Sequence, residues 1–121
     1  MSIAITQAGV RQVDGRAVII DIHADVTGEN ESSLIDAFIQ ASSSNCRVII
    51  LNLSEAKHVG SRCLEFLIIL LTHARRKKVR LLTYGQSSHY ERMLATSGLD
   101  QEVAVYHSEA EAVAAASSMI G

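Results

Sequence analysis

The sequence has no proline and no low-complexity segment or linker; only Ser42-Ser43-Ser44-Asn45 stands out, and it reads as a turn. It has two cysteines, Cys46 and Cys63, which form no spaced metal pair. That usage fits the cytoplasm, with both thiols reduced and no Cys46–Cys63 disulfide. Long apolar runs are missing too. None approaches the roughly 20 residues that cross a bilayer, so no membrane insertion is expected. The N-terminus, Met1-Ser2-Ile3-Ala4-Ile5, lacks the charged and then apolar regions of a secretion signal. Neither sign of charge dominates: the formal balance is -2, so no global basic field argues for nucleic acid. The five histidines are scattered without a His-x-x-x-His pair, and no glycine-rich phosphate loop occurs. Neither a metal nor a cofactor is expected.

What is there suits one globular domain spanning residues 1–121. The hydrophobic fraction is 48% and the charged fraction 20%, both ordinary values. Asp14-Gly15 lies between Ile3–Val13 and Arg16–Ile22 and predicts a two-residue hairpin turn. In the second arm Val18, Ile20 and Ile22 alternate with Ala17, Ile19 and Asp21, which is strand periodicity. A helix follows, with Leu34, Ala37, Phe38 and Ala41 on one face and Thr27 or Asn30 as its cap. Val48–Leu53 is apolar on both faces apart from Asn52, as in a central strand covered on both sides.

The stretch Lys57-His58-Val59-Gly60-Ser61-Arg62-Cys63 joins that strand to an apolar helix. The helix ends in the basic run Arg75-Arg76-Lys77-Lys78. Without interleaved aromatic residues, that run reads as a solvated helix end rather than a nucleic-acid patch. Val79–Thr83 is a second core strand. Ser88 and Glu91 match a capping box, opening a helix that stops at Gly98. Val103–Tyr106 is a short strand. A second capping box, Ser108 to Glu111, opens an alanine-rich last helix.

Wound at 100° per residue, the apolar helix shows two stripes. Leu64, Leu67, Ile68 and Leu71 fall on one side; Phe66, Ile69, Leu70 and His73 fall on the other. Phe66, Ile69 and Leu70 are therefore expected to form part of a contact face, for a partner or for a second copy of the chain.

The order and spacing of these features resemble the STAS domain of bacterial anti-sigma factor antagonists. That family reads as an apolar strand ending Asp-Leu-Ser, then Asp-Ser-Ser-Gly-Leu opening an apolar helix. Here the matching residues are Asn52-Leu53-Ser54 and Gly60-Ser61-Arg62-Cys63-Leu64. A later helix ends Ser97-Gly98-Leu99, and the last opens Ser108-Glu109-Ala110-Glu111. The family's Gly-Glu-Ile-Asp falls on Ala24-Asp25-Val26-Thr27, its asparagine on Asn30 and its leucine on Leu34. The resemblance implies an α/β fold: a mixed, mostly parallel five-stranded sheet with an N-terminal hairpin and about four covering helices.

The resemblance also implies a regulatory protein-binding module rather than an enzyme. In such antagonists the serine aligned with Ser61 is phosphorylated by a partner that is both kinase and anti-sigma factor. Ser61 is thus the candidate phosphoacceptor, with an N-cap as its plainer role. Partner binding is expected at Ala24, Asp25, Thr27, Asn30, His58, Gly60, Arg62 and Cys63, together with Phe66, Ile69 and Leu70. The usual carboxylates are replaced by Gly60 and Thr27, and Arg62 and Cys63 stand for a serine and a glycine. An alternative is a STAS subunit bound to the ATPase of a lipid-transport ABC complex, without phosphorylation. A hydrolase built on His58 and Ser61 is disfavoured because no Gly-x-Ser-x-Gly elbow is present. Cys63 at a helix start reads as a small filler before it reads as an activated thiol.

Overall fold

The computed structural model describes residues 8–22, 31–42, 45–55 and 61–120, apart from the side chains of residues 8, 14, 61–63 and 120. The elements are β1 (Ala8–Asp14), β2 (Ala17–Ile22), α1 (Glu31–Ser42), β3 (Val48–Asn52), α2 (Ser61–Lys77), β4 (Arg80–Tyr84), α3 (Ser88–Ser97), β5 (Ala104–Tyr106) and α4 (Glu109–Ile120). A short 3-10 turn, Leu99–Gln101, precedes β5. The strands lie in the order β1-β2-β3-β4-β5. The β1–β2 hairpin is antiparallel and every other pair is parallel, as α1, α2 and α3 require by returning the chain between successive strands.

Both faces of the sheet are covered. Val18, Ile20, Ile49, Leu51 and Leu81 point to one face, where α1, α2 and α3 add Phe38, Phe66, Leu70 and Leu94. Ala17, Ile19, Val48, Ile50 and Leu82 point to the other, where α4 packs through Ala112 and Ala116. The alternation expected along β2 therefore separates two buried sets rather than a buried set from a wet one. Of the six residues in β2, only Asp21 keeps some exposure. The hairpin turn falls one residue later than expected. Asp14 pairs with Ala17 across Gly15-Arg16, because a bulge between Gln12 and Asp14 shifts the register.

The two-stripe reading of α2 is corrected. Phe66, Leu67, Leu70, Leu71 and Ala74 are all buried. Together they make one stripe of about 140°, as a helix on a sheet needs. Phe66 is 2% exposed and Leu70 0%, so the face expected from Phe66, Ile69 and Leu70 is not available to a partner or a second copy. Ile69 is half-buried, and among the described side chains of this helix the exposed apolar one is Ile68, at 49%. The error lay in pairing Ile68 with Leu67 and Leu71; the buried arc runs from Phe66 to Leu71 and leaves Ile68 outside it.

The caps of α3 and α4 hold with small shifts, and the α1 cap expected at Thr27 or Asn30 lies outside the described residues. The α3 cap is Ser87, not Ser88; its hydroxyl accepts from the Tyr90 N–H at 3.2 Å. Gly98 closes α3 in the left-handed conformation, φ 81°. At α4, Ser108 Oγ accepts from the Glu111 N–H at 3.2 Å, and the Glu111 carboxylate accepts from the His107 N–H at 3.1 Å. Helix α2 ends in a Schellman arrangement. The Val79 N–H donates to the Ala74 carbonyl and the Lys78 N–H to the Arg75 carbonyl. Lys78 holds its left-handed position, with φ 59°.

Three arginines sit side by side where the parallel strands begin. The Arg47 N–H donates to the Arg16 carbonyl at 2.7 Å, and the Arg80 N–H donates to the Arg47 carbonyl at 2.9 Å. All three residues are exposed.

Candidate functional site

In a sheet of this kind the working loops leave the carboxyl ends of the parallel strands. Those ends are Ile22, Asn52, Tyr84 and Tyr106. Ser61 is the first residue of α2, so its backbone lies at this edge, at the positive end of a 17-residue helix. Apart from Arg62, the arginines and lysine of α2 fall in its last turn, at the far end.

The loop that leads toward Ser61 starts from a fixed anchor. The Leu53 N–H donates to the Tyr84 carbonyl at 2.9 Å. Asn52 Oδ1 accepts from the Ser54 N–H at 3.0 Å and from the Ser54 hydroxyl at 2.6 Å, closing a tight side-chain turn. Asn52 Nδ2 donates to Asp21 at 2.7 Å. Gly85, with φ 78°, lies against this turn, where a Cβ would stand 2.9 Å from the Ser54 nitrogen. The loops after β3 and β4 are thus in contact, and only glycine fits the second.

A polar row continues across the α4 face of the sheet. Asp21, Asn52, Tyr84 and Tyr106 are register partners on β2 to β5. Arg11, from β1, donates to Asp21 at 2.5 and 2.8 Å and to Glu109 at 3.1 and 3.3 Å. The Tyr84 hydroxyl donates to Glu109 at 2.9 Å and accepts from Arg11 at 3.4 Å. The hydrogen bonds to Asp21 and then Glu109 raise the affinity of the Arg11 guanidinium for its proton. Arg11 and then Tyr84 hold the Glu109 carboxyl below the usual carboxylate range. Burial, followed by the bond to Glu109, pushes the Tyr84 phenol up to about 12. Near pH 7 each group keeps one charge state, so the network suits holding the edge together more than moving protons.

Gln86 performs a similar service for β5 and α3. Its Nε2 donates to the Tyr106 carbonyl and to Glu91, both at 3.0 Å, while its Oε1 accepts from the buried Thr83 hydroxyl at 3.3 Å. Beside the first turn of α2, a cavity of about 400 Å³ is lined by Leu64, His89, Arg92, Met93, Thr96 and Ser97. Leu64 stands one turn after Ser61, so this groove borders the helix start.

Of the residues expected to bind a partner, Arg62 and Cys63 join Ser61 in the first turn of α2. Their side chains are outside the described set, and Ala24, Asp25, Thr27, Asn30, His58 and Gly60 lie outside the described residues altogether. Cys46 is a free thiol that donates to the Val48 carbonyl at 3.3 Å, and burial raises its pKa. Sequence reasoning missed the Arg11–Tyr84–Glu109 network. Asp21 and Asn52, the polar interruptions in apolar strands, were its visible trace. Among the described residues no helix is long and apolar enough to cross a membrane.

Comparison with known proteins gives a consistent picture. A Thermotoga maritima protein described as a candidate anti-sigma factor antagonist superposes with a TM-score of 0.78, at 20% identity over 90% of this chain and 93% of that one. An anti-sigma factor antagonist from Mycobacterium paratuberculosis gives 0.76, at 16% identity over 90% and 92%. The phosphorylated form of the Bacillus cell fate determinant SpoIIAA gives 0.69, at 15% identity over 88% and 96%. At such identities these likenesses establish the fold. No curated protein sequence matches the chain. The family model for the STAS domain matches residues 9–112. With the mixed sheet and the N-terminal hairpin in agreement, the chain belongs to the STAS domain family.

Proposed function

We propose that this chain is a non-enzymatic regulatory module that exchanges protein partners in the cytoplasm when Ser61 is phosphorylated, in the manner of an anti-sigma factor antagonist acting on transcription. The observation that carries the reading is the position of Ser61 as the first residue of α2, at the edge formed by the carboxyl ends of the parallel strands. A phosphate there meets free backbone N–H groups and the positive end of the helix dipole. The first turn of α2 has no acidic residue, and Arg62 follows directly, so the added charge of about -2 is accommodated rather than repelled. The same charge repels an acidic partner surface and strips an apolar one of its fit.

The proposed docking surface comprises Ala24, Asp25, Thr27, Asn30, His58 and Gly60 from the loops, Arg62 and Cys63 at the helix start, and the groove beside Leu64. The partner is a serine kinase-like anti-sigma factor. The test compares the wild type with Ser61→Glu in partner capture, alongside intact-mass measurement of the protein from growing cells. A kinase-like partner bound by the wild type and lost by the variant supports switching, as does one added phosphate on Ser61. Retention of a transport ATPase by both proteins overturns it in favour of a structural subunit of a lipid-transport ABC complex.

A further inference from the structure

We infer that the end of the molecule opposite Ser61 is a second docking surface, built for an acidic peptide segment of a partner protein that seats one apolar side chain. This surface does not depend on the Ser61 reading, because the length of the sheet separates the two.

The chain's small net charge hides an uneven layout. Of its 11 lysines and arginines, three stand at the starts of β2, β3 and β4, and four form the run 75–78 at the end of α2. All seven are exposed and lie at one end of the sheet. The acidic residues there are Asp14, Asp100 and Glu102, and Glu102 is ion-paired with Arg75. The end is strongly basic, while the chain as a whole carries -2.

Stability does not account for this layout. Cations in the last turn of α2 do favour its dipole, which covers the run 75–78. Arg16, Arg47 and Arg80 lie on strand starts instead. Arg16 and Arg47 stand in facing positions on neighbouring strands about 4.8 Å apart, where like charges repel, and Arg80, the register partner of Val48, adds a cation on the other face of the same end. Lys78 adds a further cost, since it occupies a left-handed position that glycine fills with less strain. A fold that bears both costs at one end gains from an anionic ligand there.

The shape of this end selects the class of ligand. Between the end of α2, the start of β4 and the 3-10 turn lies a cavity of about 320 Å³. Leu71, Ala74, Val79 and Leu81 supply its apolar lining, and Arg75, Arg80, Gln101 and Glu102 supply its polar part. A partly apolar hollow bordered by Arg75 and Arg80, with further cations exposed at the same end, fits a hydrophobic side chain flanked by carboxylates. Arginine forks take carboxylates in paired hydrogen bonds. Nucleic acid fits less well, because bases need aromatic platforms. Phe38, Phe66 and Tyr90 are buried in the core, and Tyr84 and Tyr106 lie at the other end of the sheet. A bilayer fits less well for the same reason, as interfacial anchors are aromatic.

The test uses fluorescein-labelled Asp-Glu-Leu-Asp-Glu and Asp-Glu-Ser-Asp-Glu peptides with the full-length chain, read by anisotropy and by amide chemical shifts. The leucine peptide is expected to bind at least about fivefold more tightly than the serine peptide, because only it fills the apolar hollow. Combined Arg16→Gln, Arg47→Gln and Arg80→Gln substitutions are expected to weaken binding about tenfold, and added salt to weaken it progressively. In the wild type, shifted amides are expected around Arg47, Ala74, Arg80 and Glu102. The proposal is overturned by equal binding of the two peptides, by shifts gathered at the start of α2, or by a folded triple variant that binds as the wild type does. Tighter binding of a DNA duplex or of phosphatidylserine vesicles than of the leucine peptide also overturns it. Should the triple variant not fold, the wild-type shift map alone decides.

Discussion

The Tyr84 hydroxyl donates to the Glu109 carboxylate at 2.9 Å, and this bond fastens the first turn of α4 to the sheet. Helix α4 needs such a fastening because, among its described side chains, the fully buried ones are the small Ala112 and Ala116. Two alanines remove little apolar surface from water. Tyr84→Phe is expected to lower stability by about 1 kcal/mol, measured by urea unfolding. It is also expected to speed amide exchange in α4 before the rest of the molecule, since that helix has the least apolar burial to hold it.

The same phenol gives an alkaline signature. Its folded pKa of about 12 lies above the ordinary tyrosine value of 10.0. The stability it contributes is therefore fully present below pH 10 and is lost as the pH rises toward 12. Ultraviolet titration of the phenolate band is expected to show a high-pH step that Tyr84→Phe removes.

At acid pH the carboxylate matters instead. Glu109 is held below its usual value chiefly by Arg11, so its contribution is present above the ordinary carboxylate range and lost as the pH falls through the depressed value. Both members of the pair are about half exposed, and solvent screens them. A double-mutant cycle of Arg11→Ala and Glu109→Ala is expected to give a coupling below about 1 kcal/mol at neutral pH. The coupling vanishes once the carboxyl is protonated.

Two glycines with nearly the same backbone angle separate conformational strain from collision. At Gly98, with φ 81°, an added Cβ meets nothing within 4 Å, so Gly98→Ala is expected to cost about 1 kcal/mol from the left-handed backbone alone. At Gly85 the same change drives a Cβ against the Ser54 backbone, and a loss of roughly 2 kcal/mol or more is expected. Thermal unfolding of the two variants, run side by side, reads the difference.

Lys78→Gly is expected to raise stability by about 0.5–1 kcal/mol, since glycine relieves the left-handed position at the end of α2. It also removes a cation from the basic end and so weakens the acidic-peptide interaction. A rise in unfolding midpoint together with a fall in peptide affinity is the expected pair of measurements.

Much of the fold was legible because its periodicities are strong. The apolar run of β3 marked a strand covered on both sides, and the glycine after α3 marked a helix end. The division of α2 into faces was not legible from a wheel alone. A helix rich in leucine and isoleucine offers several equally apolar arcs, and the sheet beneath decides which is buried. For that reason Phe66→Ala is expected to cost about 3–5 kcal/mol, while Ile68→Asp stays within about 0.5 kcal/mol of the wild type. The Arg11–Tyr84–Glu109 network was hidden for another reason. Its members stand far apart in the chain, and only the strand register brings them together.

The short strands have one more consequence. β3 runs only from Val48 to Asn52, yet at about 3.3 Å per residue it spans roughly 16 Å. That is about twice the distance over which physiological salt screens exposed charges. A charge placed on the first turn of α2 is therefore scarcely felt by the arginines where the strands begin. The two ends are electrically independent, so a chain holding an acidic segment at one end can change company at the other without letting go.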